Sequence, residues 1–383
     1  MRRRDIIIFF SVVLGLYGLI NFYIFSHGLS SLGAVSAVRP WYIGIFLFLS
    51  LAYIAGRFLE RRSISRLSAA LIWLGSFWLA AVVYFLLIVL AVDLVRLLDW
   101  IIPFLPEYFS APQSKFAFGA GSTLLVVLIV VWGAINAARP RVRRLDLNIQ
   151  KNASLRTLNV VAVSDIHLGT IICKARLERI VRKINLLDAD IVLLPGDVVD
   201  EDIQPVIKQN LGETFRSIKS KYGVIAVTGN HEYIGGVDAA CEYLVEHGII
   251  MLRDDVIKIA DSFYVVGRED RSFNRGPKRQ RKTIEELMRG LDKSLPIILM
   301  DHQPFHLEEA AKNNIDLQIS GHTHHGQLWP FNLITKRIFE VSWGYKKKGS
   351  THFYVSCGVG SWGPPVRIGN RPEIMHIKIT FAT

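Results

Sequence analysis

The sequence predicts an all-α first third of about four membrane-crossing helices, followed by an α/β domain built on mixed β-sheet. Three observations lead there. Ile6–Phe25, Trp41–Gly56, Leu67–Val92 and Phe116–Ala138 contain no Asp, Glu, Lys or Arg. Beyond residue 139, short β-branched runs alternate with apolar residues at helical spacing, the pattern of an α/β domain. Several of those runs end in Asp, His, Asn or Gly, the residue types that bind metals or make tight turns. The expected boundaries are 1–138 for a transmembrane anchor and 139–383 for a catalytic domain.

About 20 apolar residues suffice to cross a hydrocarbon core, and at least three of the four stretches reach that length. The second, between Arg39 and Arg57, is the shortest. A soluble helical bundle would show polar faces at helical spacing, and these stretches have none. Arg2, Arg3 and Arg4 before the first stretch also suit a signal peptide, but the stretch exceeds a usual signal core and further spans follow, so a retained anchor is expected. Loop cations set the orientation. The N-terminus has Arg2–Arg4, the second loop Arg57, Arg61, Arg62 and Arg66, and the exit Arg139, Arg141, Arg143 and Arg144. The first loop has only Arg39 and the third Arg96 and Lys115. This asymmetry predicts a multi-pass cell-membrane protein with both termini and the catalytic domain on the cytoplasmic side. Leu94–Tyr108 has two readings, a segment lying in the outer interface or a ragged continuation of the third helix. Arg139–Arg144 reads as the juxtamembrane link and an edge strand.

In the second part, strands are expected at Leu158–Val163, Asp190–Leu194, Gly223–Val227, Phe263–Gly267, Pro296–Met300, Leu317–Ser320, Thr351–Ser356 and Met375–Thr380. Helices are expected at Ala175–Leu187, Val237–Glu246, Thr283–Leu291 and His306–Asn313. Five of the strands run into Asp165-Ile-His167, Gly196-Asp197, Gly229-Asn230-His231-Glu232, His302 and Gly321-His322-Thr-His324. Taken singly, each block has a bland reading as a turn, a cap or a core histidine. Their joint occurrence at strand ends predicts a metal site, because loops from distant parts of the chain converge there. Carboxylate, amide oxygen and imidazole are donors for hard or borderline divalent ions. The period of two in Asp165-x-His167 and His322-x-His324 places both side chains on one side if strand geometry persists. Gly196, Gly229 and Gly321 suit tight turns leaving a strand.

These ordered blocks resemble the calcineurin-like metallophosphoesterase superfamily over residues 141–383. A narrower resemblance, to membrane-tethered bacterial phosphoesterases of that superfamily, rests on Gly321–Pro330 and Gly360–Ile374. The resemblance implies two packed β-sheets flanked by helices. It further implies that Asp165, His167, Asp197 and His324 bind one ion, and that Asn230, His302 and His322 bind another with Asp197 shared. By the same resemblance His231 faces the phosphate and Asp200 orients it; Asp200 also reads as a solvated loop acid beside Glu201 and Asp202. Glu232 reads as structural. His325 stands where the family often has glycine, at a position expected to crowd the mouth of the site or recruit something there.

The function expected is hydrolysis of phosphodiester or pyrophosphate bonds. Two close ions would acidify a shared water that attacks phosphorus in line. Manganese, iron and zinc all suit the donors. Some members of the resembling superfamily cleave the pyrophosphate of a nucleotide-linked acylated sugar and others cleave simple phosphodiesters; anchoring near the bilayer makes a lipid-linked phosphate a candidate partner, with membrane lipids beside it. The alternatives are a nuclease-type phosphodiesterase, or a metal-binding membrane sensor or scaffold without turnover. A channel is disfavoured by spans without charge.

Cys173, Cys241 and Cys357 lack paired spacing, which argues against a disulfide framework. The net charge of +12 sits largely beside the spans, which favours a membrane surface over nucleic acid. Arg268–Lys282 is unusually basic and reads either as a solvated loop or as a holder of an anionic headgroup. Only Phe273 interrupts it with an aromatic, too little for a nucleic-acid surface.

Overall fold

The computed structural model describes residues 3–275 and 280–382, so Arg2, Lys278 and Arg279 lie outside the described residues. The chain falls into two compact units, 1–134 and 135–383.

The first unit is helical. It comprises α1 (Arg3–Ser31), α2 (Arg39–Arg62), α3 (Arg66–Ile101) and most of α4 (Pro112–Ala137). All four helices are long and apolar enough to cross a membrane. The second stretch, short by sequence, continues as helix past Gly56 to Arg62, where Arg57 pairs with Glu60 at 3.1 Å. Glycines set the spacing of α2 and α3: a Cβ on Gly75 would overlap the Tyr53 backbone, and one on Gly56 would overlap Ile72. Small residues allow such close approach in apolar helices. Leu94–Tyr108 is divided. α3 continues to Ile101, and the Asp99 carboxylate then accepts from the N–H groups of Phe104 (2.8 Å) and Leu105 (2.7 Å), ending the helix.

The second unit begins with β1 (Arg141–Asn152), β2 (Thr157–Ala162), α5 (Lys174–Asn185) and β3 (Ile191–Pro195). It continues through α6 (Gln204–Lys208), α7 (Gly212–Phe215), β4 (Val224–Val227), α8 (Asn230–Gly235), α9 (Val237–Glu246) and β5 (Ile249–Met251). Next come β6 (Asp255–Ile259), β7 (Phe263–Gly267), α10 (Ile284–Leu287), β8 (Ile297–Met300), α11 (Leu307–Lys312) and β9 (Leu317–Ser320). The last elements are α12 (Phe331–Ile338), β10 (Gly344–Lys348), β11 (Thr351–Val355) and β12 (Glu373–Ala382). One sheet has the order β1-β12-β2-β3-β4-β5 and the other β10-β11-β9-β8-β7-β6. Both are mixed: β12–β2, β6–β7 and β10–β11 pair antiparallel, while the central strands pair parallel.

Strand alternation sorts the apolar residues into layers. Val160, Ala162, Leu193 and Ile225 of the first sheet pack against Phe263, Val265, Ile298 and Ile319 of the second. Val161, Val192, Leu194 and Ala226 face the other way, onto Leu177, Ile180 and Ile184 of α5 and Leu244 of α9. Val266, Leu299 and Phe353 meet Leu287, Leu307 and Ala310. Helices therefore cover the outer faces of two face-to-face sheets. The central strands are buried on both sides, which explains their continuous apolar runs.

Candidate metal centre

The chain leaves β2, β3, β4, β8 and β9 through five loops, and those loops bring the predicted residues together. The local geometry differs from the strand-alternation expectation. β2 stops at Ala162 and β9 at Ser320, before either His-bearing motif. Asp165, His167, Asp197, His322 and His324 instead take left-handed φ values of 52°, 53°, 51°, 71° and 46°. That conformation costs a non-glycine residue about 1–2 kcal/mol, and backbone bonds hold it here. The Asp165 N–H donates to Gly196 O at 3.1 Å and the His167 N–H to Asp197 O at 3.0 Å, while Gly360 N–H donates to Asp165 O at 2.9 Å. Of the three glycines, only Gly196 has positive φ, at 90°. Close approach is the common reason. A Cβ at 196 would overlap the His302 ring, one at 229 the Asp197 carboxylate and one at 321 the Asp165 carboxylate.

Two donor groups meet at Asp197, and a third, His167, Asp200 and His231, adjoins them through His167. Asp165, His167 and His324 place ligand-type atoms within 4.8 Å of one another, as do Asp197, His302 and His322. In the first, His167 Nε2 and His324 Nε2 are 3.0 Å apart and His324 Nε2 is 3.6 Å from Asp165 Oδ1. In the second, His322 Nδ1 is 2.8 Å from Asn230 Oδ1, which adds the amide oxygen. Asp197 Oδ2 lies 3.1 Å from His302 Nε2 and 3.8 Å from His167 Nε2, so one carboxylate oxygen reaches both groups. The residues fit divalent ions by chemistry and by satisfaction: Asp165 Oδ2 is buried without a hydrogen-bond partner among the described residues, an arrangement that otherwise costs about 1–3 kcal/mol.

Charge is distributed unevenly. Burial alone would raise the pKa of Asp197, but His302, His231 and His167 hold it well below the usual range. Burial would lower that of His302, but Asp197 outweighs it and raises it well above 6.5. His322 is pushed down to about 4 by burial and by His302. Burial and Arg367 push His324 well below its ordinary value. These last two imidazoles are neutral at physiological pH, the state a metal requires. His302 Nδ1–H donates to Pro195 O at 2.8 Å, which aims Nε2 at Asp197.

His231 stands beside the first group. Its Nδ1 is 3.0 Å from Asp200 Oδ1, and its ring meets that of His167 edge-on at 4.5 Å between centroids. Asp200 Oδ1 is also 3.6 Å from His167 Nδ1, so it joins the cluster rather than being a free loop acid. Burial opposes charge on His231, but Asp200 and Asp197 raise its pKa to about 9. Glu232 is buried and accepts from the N–H groups of Gly229 (2.7 Å), Val199 (2.9 Å) and Asp197 (3.2 Å), a structural role. His325 turns into the protein. Its Nδ1 is 3.1 Å from Ser342 Oγ and its ring packs on Trp343, so it does not crowd the mouth.

Two residues escaped sequence reasoning. Arg367 is fully buried and, among the described residues, pairs with no carboxylate; its Nη1 donates to Cys357 O (2.7 Å) and His324 O (3.2 Å), and its Nη2 donates to Gly360 O (2.6 Å). It clasps the loop that carries His324. Its only signal was its place in Gly360–Ile374, and an arginine there reads as surface. Trp362, 6.0 Å from the His231 ring between centroids, was equally silent. Replacing Arg367 with Met strands several buried carbonyls, at about 1–3 kcal/mol each. We expect Arg367→Met to lose roughly 3 kcal/mol or more in denaturant unfolding and to bind metal roughly 10–100-fold more weakly in chelator competition, with Arg367→Lys in between.

The basic stretch is partly structural. Arg268 pairs with Asp301 (3.2 Å) and Glu309 (3.0 Å), and Arg281 pairs with Asp301 (3.0 Å). Arg271 lies over the Phe305 ring at 4.7 Å. These cations are held by the fold rather than by a solvated loop.

A double mixed sheet whose strand ends carry two imidazole-carboxylate groups defines a metal-binding α/β protein. Residues 158–326 match the model of the calcineurin-like phosphoesterases. A Helicobacter pylori protein described as a metallophosphoesterase is 32% identical over 63% of this chain and 64% of its own length. A Danio rerio transmembrane protein with a metallophosphoesterase domain is 32% identical over 68% of this chain and 62% of its own. The chain thus spans a little under two thirds of these relatives. Among solved structures, a 5'-nucleotidase precursor from Thermus thermophilus covers 58% of this chain and 55% of its own at 13% identity, with a TM-score of 0.36.

Proposed function

We propose that the chain is a membrane-anchored phosphoesterase that hydrolyses phosphodiester or pyrophosphate bonds, with residues 1–138 as anchor and 139–383 as catalytic domain. The observation that carries this reading is Asp197, whose Oδ2 lies within 3.8 Å of imidazoles in both donor groups. Asp165, His167 and His324 would hold one divalent ion and Asn230, His302 and His322 the other, with Asp197 between them. Bound there, manganese, iron or zinc ions would acidify a water and neutralise phosphate oxygens. His231, kept cationic by Asp200, stabilises charge on the phosphate or protonates the leaving oxygen. Such a group is typically worth roughly 10²–10⁴ in rate. The four apolar helices support membrane association, and the arginine asymmetry of their loops supports a cytoplasmic catalytic domain. Anchoring raises the effective concentration of lipid-linked phosphates, which makes them the favoured substrates.

The test is Mn²⁺-dependent turnover of a chromogenic phosphodiester, a phosphomonoester and a lipid-linked pyrophosphate by the detergent-solubilised full chain, beside an Asn230→Ala, His231→Ala variant. Turnover that disappears in the variant is expected. Absence of turnover on all three despite two bound metals overturns the enzymatic reading. Preference for the soluble diester overturns only the lipid assignment.

A further inference from the structure

Helix α12 is amphipathic the wrong way round. Its half-buried positions are the polar Asn332 and Thr335, and none of its residues is buried. At about 100° per residue those two share one side, while Leu333, Ile334, Ile338 and Phe331 sweep around the rest. Leu333, Ile334 and Ile338 are 55%, 55% and 56% exposed. Trp329, just before the helix, and Trp362 are also large exposed apolar residues. Gln327 ties the two parts of this surface together. Its Oε1 accepts from Trp362 N–H at 3.0 Å, its Nε2 donates to Trp362 O at 2.9 Å, and Trp329 follows two residues on. Trp362 in turn borders His231. The apolar surface therefore reaches the edge of the metal centre.

Its charge is as one-sided as its polarity. Between Leu328 and Gly349 the cations are Lys336, Arg337, Lys346, Lys347 and Lys348, and the only carboxylate is Glu340. Glu340 pairs with Lys346 at 2.8 Å and Lys348 at 3.0 Å. Lys336, Arg337 and Lys347 are exposed. An outward apolar arc with tryptophans beside it, Lys336 at its edge and Arg337 among its apolar positions is complementary to the headgroup region of an anionic leaflet, where apolar side chains enter the acyl boundary and long cationic side chains reach back to phosphates. Only residues 138–140 separate the end of α4, a candidate span, from β1.

We propose that α12, with Trp329 and Trp362, is an interfacial element that inserts its apolar arc into an anionic lipid surface, so that the mouth beside His231 opens at headgroup level. This rests on the membrane-anchored reading and goes beyond it. The helix becomes a second, reversible contact with lipid, and headgroup-level phosphates become the substrates that reach the site without leaving the membrane.

The test uses the full chain in nanodiscs containing phosphatidylglycerol, in a Cys173→Ser background, with nitroxides attached at Leu333→Cys, Ile334→Cys or Ile338→Cys. Leu128→Cys in α4 is the span reference and Glu242→Cys the water reference; both positions are exposed. Collision with oxygen and with a water-soluble nickel chelate reports immersion. We expect the α12 labels to be several-fold less accessible to the chelate than Glu242→Cys and more accessible to oxygen. Adding Leu333→Glu, or Ile334→Glu, should return the Ile338→Cys label to the water value. Labels on α12 that match Glu242→Cys while Leu128→Cys is immersed overturn the inference alone. If Leu128→Cys is also at the water value, the anchoring reading fails first. Dipolar broadening between α12 labels would show a second copy covering the helix and also overturn the proposal.

Discussion

Replacing Asp197 with Asn will reduce hydrolysis by roughly 10³-fold or more and lower the metal content of the purified protein. Metal-assisted charge stabilisation is worth several kcal/mol, and each 1.36 kcal/mol is a factor of ten. Asp197 is where such a loss should be greatest. Its Oδ2 is 3.1 Å from His302 Nε2 and 3.8 Å from His167 Nε2, so its charge serves both donor groups. An amide of the same shape still accepts the His231 N–H at Oδ1, now 2.9 Å away, which keeps α8 in place. The fold should therefore survive, as far-UV circular dichroism and a thermal melt would verify. Metal analysis by mass spectrometry then separates the outcomes: full two-metal occupancy with near-native turnover would remove Asp197 from the centre.

His231→Ala should lower kcat by roughly 10²–10⁴ and leave metal content unchanged, because His231 belongs to neither donor group that shares Asp197. Asp200→Asn distinguishes chemistry from packing. Burial lowers the pKa of His231, but Asp200, followed by Asp197, raises it to about 9. A folded pKa above the unfolded value of about 6.5 means that the imidazolium stabilises the metal-free fold fully below pH 6.5. That contribution is lost as pH rises through about 9. The cationic form would likewise serve catalysis below that value. In Asp200→Asn the carboxylate's pull is gone, so the alkaline limb of the kcat profile should move to lower pH by roughly a unit or more. A limb that stays in place in Asp200→Asn would leave Asp200 as packing only.

The central architecture was legible because buried parallel strands advertise themselves. Ile191–Pro195, Val224–Val227 and Leu317–Ser320 are short apolar runs bounded by glycine, aspartate or serine, and their ends carried the His, Asp and Asn blocks. Edge elements were harder to see. β5 has three residues, β6 is mostly half-exposed, and β10 reads Gly-Tyr-Lys-Lys-Lys, so none shows a buried strand's composition. Helix α10 closes after Leu287, where sequence suggested helix to Leu291. The donor residues were readable by chemistry, whereas their backbone was not: left-handed φ at Asp165, His167 and His324 depends on hydrogen bonds from loops far away in the chain. Arg367 and Arg268 were opaque for a related reason. An arginine's burial depends on carbonyls or carboxylates contributed by residues distant in sequence.

The glycines under the donors bear on motion. Gly196 follows a strand of the first sheet and seats the His302 ring from the second; Gly321 follows a strand of the second and seats Asp165 from the first. Neither seat has room for one methyl group. The sheets are thus keyed together at their carboxyl ends, in the manner of a dovetail joint, and a hinge that parted them would dismantle both donor groups at once. On the proposed function, the rim loops, Trp362 among them, are free to vary without disturbing the keyed glycines beneath.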